Sequence, residues 1–303
     1  MLHFEPVTLA HKDAINQILN TQSMLPCELC FSNIFLWAEQ YNTTVCIKDT
    51  MLFIKGRTGK SVLHKLPTGL GNKKAAIEAL FKEDDFRTLY AITEEDKTLL
   101  EENFPGTFTY TEDRAGADYI YTSDKLRTLA GKKLHAKRNH IHKFHATYGT
   151  LTIFEEITPE NIDEILRFHM AWCKKNGCEG TLRHEVCAVK KAFAHFHELA
   201  LQGLCLKVNG KIVAYSYGTR LTADTFVIHA EKADSEIPGA YAVINQQMAE
   251  TFGKEFLYIN REEDMGLEGL RKAKESYQPD ILRLRYTAQW NNFDLQKNTN
   301  DNR

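Results

Sequence analysis

Hydrophobic periodicity changes along this chain in one order and then repeats that order, which restricts the fold more than any single motif does. The first pass reads as a strand over Phe4–Val7, Thr8 as N-cap of a helix striped by Ile15, Ile18 and Leu19, and a second helix over Glu28–Gln40. Three short alternating runs follow, Thr43–Lys48, Met51–Lys55 and Ser61–Lys65, punctuated by turn residues as in an antiparallel meander. A helix over Asn72–Phe81, a strand over Thr88–Ala91, a helix over Glu94–Asn103 and a strand over Asp118–Tyr121 complete it. The second pass has a strand at Leu151–Glu155, helices at Ile162–Lys175 and Glu185–Leu201, and strands at Leu204–Val208, Lys211–Arg220 and Thr225–Glu231. It closes with helix Ala240–Phe252, strand Glu255–Ile259, helix Leu267–Ser276 and strand Ile281–Tyr286. Asn209-Gly210 marks one hairpin firmly, because both residues tolerate the positive φ of a type I′ turn. The expected architecture is α+β: two domains, 1–122 and 150–290, joined by a basic helix over 123–149 and followed by a disordered polar tail over 291–303.

A chain of 303 residues that is 43% hydrophobic and 26% charged can bury two cores, which excludes disordered and collagen-like classes. No stretch approaches the roughly 20 apolar residues of a membrane span; the best run is Ile34–Ala38. Met1–Pro6 lacks the parts of a signal peptide, so the chain reads as cytoplasmic. Its seven cysteines, odd in number and irregularly spaced, read as reduced thiols. With a net charge of −2, attraction to a polyanion must come from a local patch.

That patch lies between Asp124 and Glu155, where no acid occurs but seven Lys/Arg and four His do. On a helical wheel Leu134, Ile141, Phe144 and Tyr148 share one face, and Lys132, His135, Asn139, His142 and Lys143 lie opposite. Lys137 falls in the apolar arc, where an ammonium needs a carboxylate or a route to the edge. The functional reading is a phosphate site, for coenzyme A, tRNA or a phospholipid head group, held by Lys133, Lys137 and Arg138; the alternative is a solvated linker helix.

The second informative stretch is Tyr258–Pro279, a strand that enters the polar run Asn260-Arg261-Glu262-Glu263-Asp264 before a helix. Polar groups where an α/β strand ends commonly form a site. Glu263 or Asp264 serves as candidate general base, with Glu231 as rival on a strand face expected to be shared with His229. The alternative is that these acids pair with Arg261 or cap the next helix. Asn139, Asn260, Arg261, Gly266, Gly269, Arg271 and Lys274 are the acceptor-side candidates, and Gly239 with Ala240, at a helix start, are candidate phosphate ligands.

The element order resembles the GCN5-related N-acetyltransferase (GNAT) fold, and two copies look like the tandem GNAT-like arrangement of Fem-type peptidyltransferases. Three segments together, Glu28–Trp37, Gly131–Ile141 and Asn260–Tyr277, resemble bacterial proteins related to the C-terminal catalytic domain of phosphatidylglycerol lysyltransferase. The run Gly269-Leu270-Arg271-Lys272 to Lys274 is similar to a helix of Fem-type enzymes. The resemblance implies transfer of an amino acid from aminoacyl-tRNA to a lipid head group or similar acceptor. Acetyl-CoA-dependent acylation of a small amine, and non-catalytic binding of tRNA or lipid, are the alternatives. The typical glycine- and arginine-containing acetyl-CoA loop is absent. No tightly bound cofactor is expected, aminoacyl-tRNA or acyl-CoA being a co-substrate. Cys27-x-x-Cys30, and Cys173, Cys178, His184 and Cys187, have metal-like spacing but lack a convincing ligand set, so no metal is expected.

Overall fold

The computed structural model describes residues 2–23, 25–177 and 181–291, and only the backbone of 181–184. Two compact units emerge among the described residues: those up to Ala117, with 263–266 and those from Arg283 on, form unit 1, and those of 118–262 with 267–282 form unit 2.

Unit 1 begins with β1 (Glu5–Pro6) and a 3-10 turn at Leu9–His11, closed by reciprocal Thr8 and His11 bonds, that leads into α1 (Lys12–Leu19). The single helix expected over Glu28–Gln40 is two, α2 (Phe31–Leu36) and α3 (Ala38–Tyr41), because Trp37 leaves the helical region at φ −94°, ψ 1°. The meander forms as β2 (Thr44–Lys48), β3 (Met51–Thr58) and β4 (Ser61–His64), with β5 (Thr68–Gly69) beside β3. Helix α4 (Lys73–Leu80) starts where the Asn72 side chain accepts from the Ala75 N–H, and β6 (Thr88–Ile92) then pairs parallel to β4. Helix α5 (Glu94–Asn103) opens on a Thr93/Asp96 capping box. The strand expected at Asp118–Tyr121 is only the end of β7 (Phe108–Thr122), whose last residues belong to unit 2. The core of unit 1 gathers Phe53, Ile77, Leu80, Phe86, Leu89 and Leu100.

Unit 2 continues with α6 (Ser123–Thr128), α7 (His135–Tyr148), β8 (Thr152–Glu156), α8 (Pro159–Lys175) and α9 (Thr181–Ala194). Strands β9 (Gln202–Val208), β10 (Lys211–Arg220) and β11 (Thr225–Ala233) form a second meander. After α10 (Ala240–Thr251), β12 (Tyr258–Asn260) pairs parallel to β11 and antiparallel to the end of β7. Helix α11 (Glu268–Glu275) precedes β13 (Ile281–Trp290). The sheet order in unit 2 is β7-β12-β11-β10-β9-β8. Leu134 and Phe144 are buried in its core, with Ile141 and Tyr148 packed against it, while Lys132, His135, Asn139, His142 and Lys143 are exposed, as the wheel predicts.

Each unit is thus a mixed, mostly antiparallel sheet with flanking helices, the expected α+β class. The boundaries differ from the linear division expected. The basic helix is part of unit 2, and β13 pairs antiparallel with β6 of unit 1 from Tyr286 onward. The end of β7 in turn pairs with β12, so each sheet is completed by the strand that chain order would give to the other. The expected tail lies outside the described residues beyond Asn291.

Candidate active site

In unit 2, β11 and β12 pair only from Thr225↔Tyr258 to Val227↔Asn260. Beyond that point β11 continues while the other chain turns away at Arg261, and charged side chains fill the divergence. Glu231 Oε1 accepts from Arg261 Nη2 at 2.8 Å, and its Oε2 accepts from Asn245 Nδ2 of α10 at 2.9 Å. The Arg261 guanidinium lies 4.7 Å from the Tyr277 ring centre and 5.8 Å from that of Tyr121. Burial works against its charge, but the Glu231 carboxylate and the two tyrosines outweigh it and raise its pKa. Three buried polar atoms around this pair have no hydrogen-bond partner among the described residues: Arg261 Nη1, Asn245 Oδ1 and the hydroxyl of Ser216, whose Cα pairs with that of Glu231 across β10 and β11. Orphaned buried groups are costly, which singles this cluster out as the candidate site.

Lys137 Nζ completes this surface, 4.1 Å from the Tyr277 centre and half-buried. Its apolar position is resolved by the ring. Burial and then the Arg261 charge push its pKa down, against the pull of Glu231.

The expectation that His229 and Glu231 share a face is corrected by a bulge. The register slips between Tyr217 and Gly218, leaving His229 with no opposing residue. His229 therefore lies with Tyr217, ring centres 6.2 Å apart, while Glu231 stays on the Ser216 face. His229 Nδ1 meets Glu262 Oε1 at 2.8 Å, a second bridge across the divergence.

The other sequence candidates have structural duties. Asn260, fully buried, donates to Asp118 Oδ2 at 2.9 Å and accepts the Glu262 N–H at 2.8 Å, holding Glu262 at φ +55°. Lys274, also buried, donates to the Arg261 carbonyl at 2.5 Å. The Arg138 fork expected to grip phosphate instead directs Nη1 to the carbonyls of Leu129 and Gly131, fixing the turn before α7. Lys133 and Asn139 are exposed, and Asn139 Nδ2 lies 3.1 Å from His135 Nε2. Gly269 faces open space rather than a close neighbour, and Arg271 is half-buried on α11. Glu263, Asp264 and Gly266 belong to unit 1. There Cys27 Sγ lies 3.5 Å from Glu263 Oε2, and the fully buried Asp264 pairs with Arg114 at 3.1 Å and accepts the Gly266 N–H.

Gly239 and Ala240 were expected to cradle phosphate. Gly239 sits at φ +91° under α7, where a Cβ would meet the His140 carbonyl oxygen at 2.6 Å. The turn before α10 bonds to itself, Ile237 N–H to Asp234 O, Glu236 N–H to Asp234 Oδ1 and Ala240 N–H to Ile237 O. It also carries two carboxylates, Asp234 and Glu236, both paired with Lys175. Such a turn is poorly suited to pyrophosphate.

Sequence reading missed Asn245, Ser216, Tyr121 and Glu262. Asn245 left a signal, a polar residue in the buried run Ala242-Val243-Ile244-Asn245. A cluster in unit 1 was missed entirely: Arg285, fully buried, pairs with Glu28 at 2.5 Å, and Lys65 approaches the same carboxylate at 3.7 Å. Of the thiols with metal-like spacing, Cys30 Sγ lies 3.1 Å from Ser32 Oγ and Cys173 Sγ 3.5 Å from His169 Nε2. Cys187 is exposed, and Cys178 and the His184 side chain lie outside the described residues.

The sequence profile of the family described as phosphatidylglycerol lysyltransferase, C-terminal, matches residues 22–289. A conserved protein of unknown function from Bacteroides thetaiotaomicron is 41% identical, with a TM-score of 0.92 over 96% of this chain and 100% of that one. The C-terminal domain of a putative lysylphosphatidylglycerol synthetase from Agrobacterium fabrum is 16% identical, with a TM-score of 0.68 over 95% and 94%. An uncharacterized protein of Mycoplasmoides gallisepticum is 23% identical over 57% of this chain and 56% of its own length, so the chain spans little more than half of that relative. Among the described residues no helix is long and apolar enough to cross a membrane.

Proposed function

Because this chain belongs to the family of the phosphatidylglycerol lysyltransferase C-terminal region, and so to the GNAT-like acyltransferases, we propose that unit 2 transfers an aminoacyl group from aminoacyl-tRNA to an amine or hydroxyl, as on a lipid head group. The observation that carries the choice of donor is the packing of α7 on the start of α10. It covers the turn where a GNAT fold receives the pyrophosphate of coenzyme A, and it turns Lys132, Lys133, His142 and Lys143 outward as a basic surface. A tRNA backbone suits such a surface, because each phosphate neutralised releases counterions.

In this reading the acceptor attacks the carbonyl carbon of the ester joining amino acid to ribose. The bond to the acceptor forms, negative charge gathers on the carbonyl oxygen, and collapse expels the ribose oxygen. The unsatisfied Arg261 Nη1 supplies a donor for that developing oxyanion. Glu231 holds the guanidinium in place, each of its oxygens already accepting a hydrogen bond. Asn245 Oδ1 and Ser216 Oγ supply acceptors for polar hydrogens of the aminoacyl group.

Retention of co-substrate by the immobilised protein tests this. Charged tRNA should be held at low salt and released steeply as salt rises, and Lys133→Gln should lower the logarithmic salt slope by about 1. Retention of acyl-CoA without tRNA would favour the acetyltransferase alternative, and retention of neither would remove the donor assignment.

A further inference from the structure

We propose that Lys137 is the residue that carries the proton during transfer, an inference resting on the reading of unit 2 above. The expected phosphate role asks Lys137 to be a solvent-facing cation on α7; the structure puts its amine over the Tyr277 ring instead. Arg261 stacks on that same ring, so the amine and the guanidinium share one aromatic platform, with Glu231 bonded to the latter. Among the described residues Lys137 has no ion pair or hydrogen bond; the Tyr277 ring lies against its amine, and the Arg261 and Glu231 charges are near enough to act on it. Glu231, the other candidate at this place, already accepts a donor on each oxygen.

The groups facing Lys137 are Tyr277 after α11, Arg261 after β12 and Glu231 on β11, with Tyr121 of β7 on the far side against Arg261. Lys274 of α11 binds the Arg261 carbonyl. On α7 Arg138 and His140 lie within a turn, Arg138 tied to carbonyls, and Lys133 sits in the 3-10 turn just before the helix. Helix α10, which packs on α7, carries Tyr241 and Glu250, the latter paired with Arg127. Burial and then the neighbouring guanidinium therefore make the amine easier to deprotonate than an exposed lysine, and the deprotonated amine has a lone pair to accept a proton.

The steps balance without a further reactant. As the acceptor oxygen or nitrogen bonds to the carbonyl carbon, its proton passes to Lys137 Nζ, making the ammonium. As the carbon–oxygen bond to ribose breaks, the ammonium returns the proton to the leaving ribose oxygen. The amine ends neutral, and nothing is oxidised or reduced.

The test measures loss of labelled amino acid from unfractionated charged tRNA, with hydroxylamine as a small acceptor, above the uncatalysed rate. Lys137→Arg keeps a cation but cannot accept a proton near neutrality. It should lower kcat at least 100-fold with the KM for tRNA unchanged, and should lose the rise in rate with pH that the wild type shows. Wild-type kinetics in Lys137→Arg would overturn the assignment while leaving the aminoacyl-transfer reading in place. A wild type that binds charged tRNA yet gives no acceleration would overturn both. As a measurement independent of the variant's folding, lysines of the wild type are dimethylated with 13C-formaldehyde and titrated by NMR. Apart from the terminal α-dimethylamine, which titrates low in any protein, one lysine signal should titrate below the rest, and lysine signals titrating together would overturn the proposal.

Discussion

Buried charge distinguishes the residues that matter most in each unit. A guanidinium or carboxylate removed from water is stable only with close partners, and the geometry of those partners then becomes fixed. Glu28 in unit 1 shows this in its titration. Burial alone would lift its pKa, but Arg285 and then Lys65 bring it from the usual 4.5 to about 2. A carboxyl lowered on folding contributes stability that is complete above its unfolded value and lost as pH falls through its folded one. The urea midpoint of the wild type should therefore drop between about pH 4.5 and pH 2 more steeply than that of Glu28→Gln, the two curves converging at the acid end. Parallel curves would contradict the ion-pair account. The side chain keeps 34% of its surface exposed, so the effect is modest. Arg261 and Glu231 were legible as candidates because polar residues at the end of a strand stand out. Arg285 and Glu28 were not, since they sit inside ordinary strand and helix patterns, and only tertiary pairing joins them.

At the level of elements, local chemistry showed where it was strong. The Asn209-Gly210 turn fixed β10 at Lys211–Arg220 as expected, and the alternation of the meanders survived. The first part of β7 was hidden because Thr111-Glu112-Asp113-Arg114-Ala115-Gly116 has no apolar alternation. The bulge in β11 was equally invisible, for period two cannot foretell a skipped residue; it decides that Glu231 and His229 serve opposite faces. The contact of α7 with α10 makes a further demand on one residue. Gly239→Ala would add a Cβ 2.6 Å from the His140 oxygen at φ +91°. It should destabilise the protein by about 2–4 kcal/mol, measured by urea unfolding. An unchanged midpoint would show that α7 can move off the α10 turn at no cost.

At the scale of the molecule, the repeated order of elements was plain in the sequence, but the assignment of strands to units was not. Periodicity reports what each segment is, not which sheet receives it, and the exchange of β7 and β13 follows from pairing alone. The same limit applies to the site: its members lie far apart in sequence, Lys137, Glu231, Asn245, Arg261 and Tyr277, and converge only when β11 and β12 diverge. The proposed transfer depends on Arg261 as the donor to the reacting carbonyl of aminoacyl-tRNA. The decisive measurement is the single-turnover loss of ester-linked label from charged tRNA, with enzyme in saturating excess, for the wild type and Arg261→Met. The account predicts that the variant still binds the tRNA but releases label about 100- to 1,000-fold more slowly. Release at the wild-type rate by the variant, or a wild type that deacylates acyl-CoA and leaves tRNA charged, would contradict it.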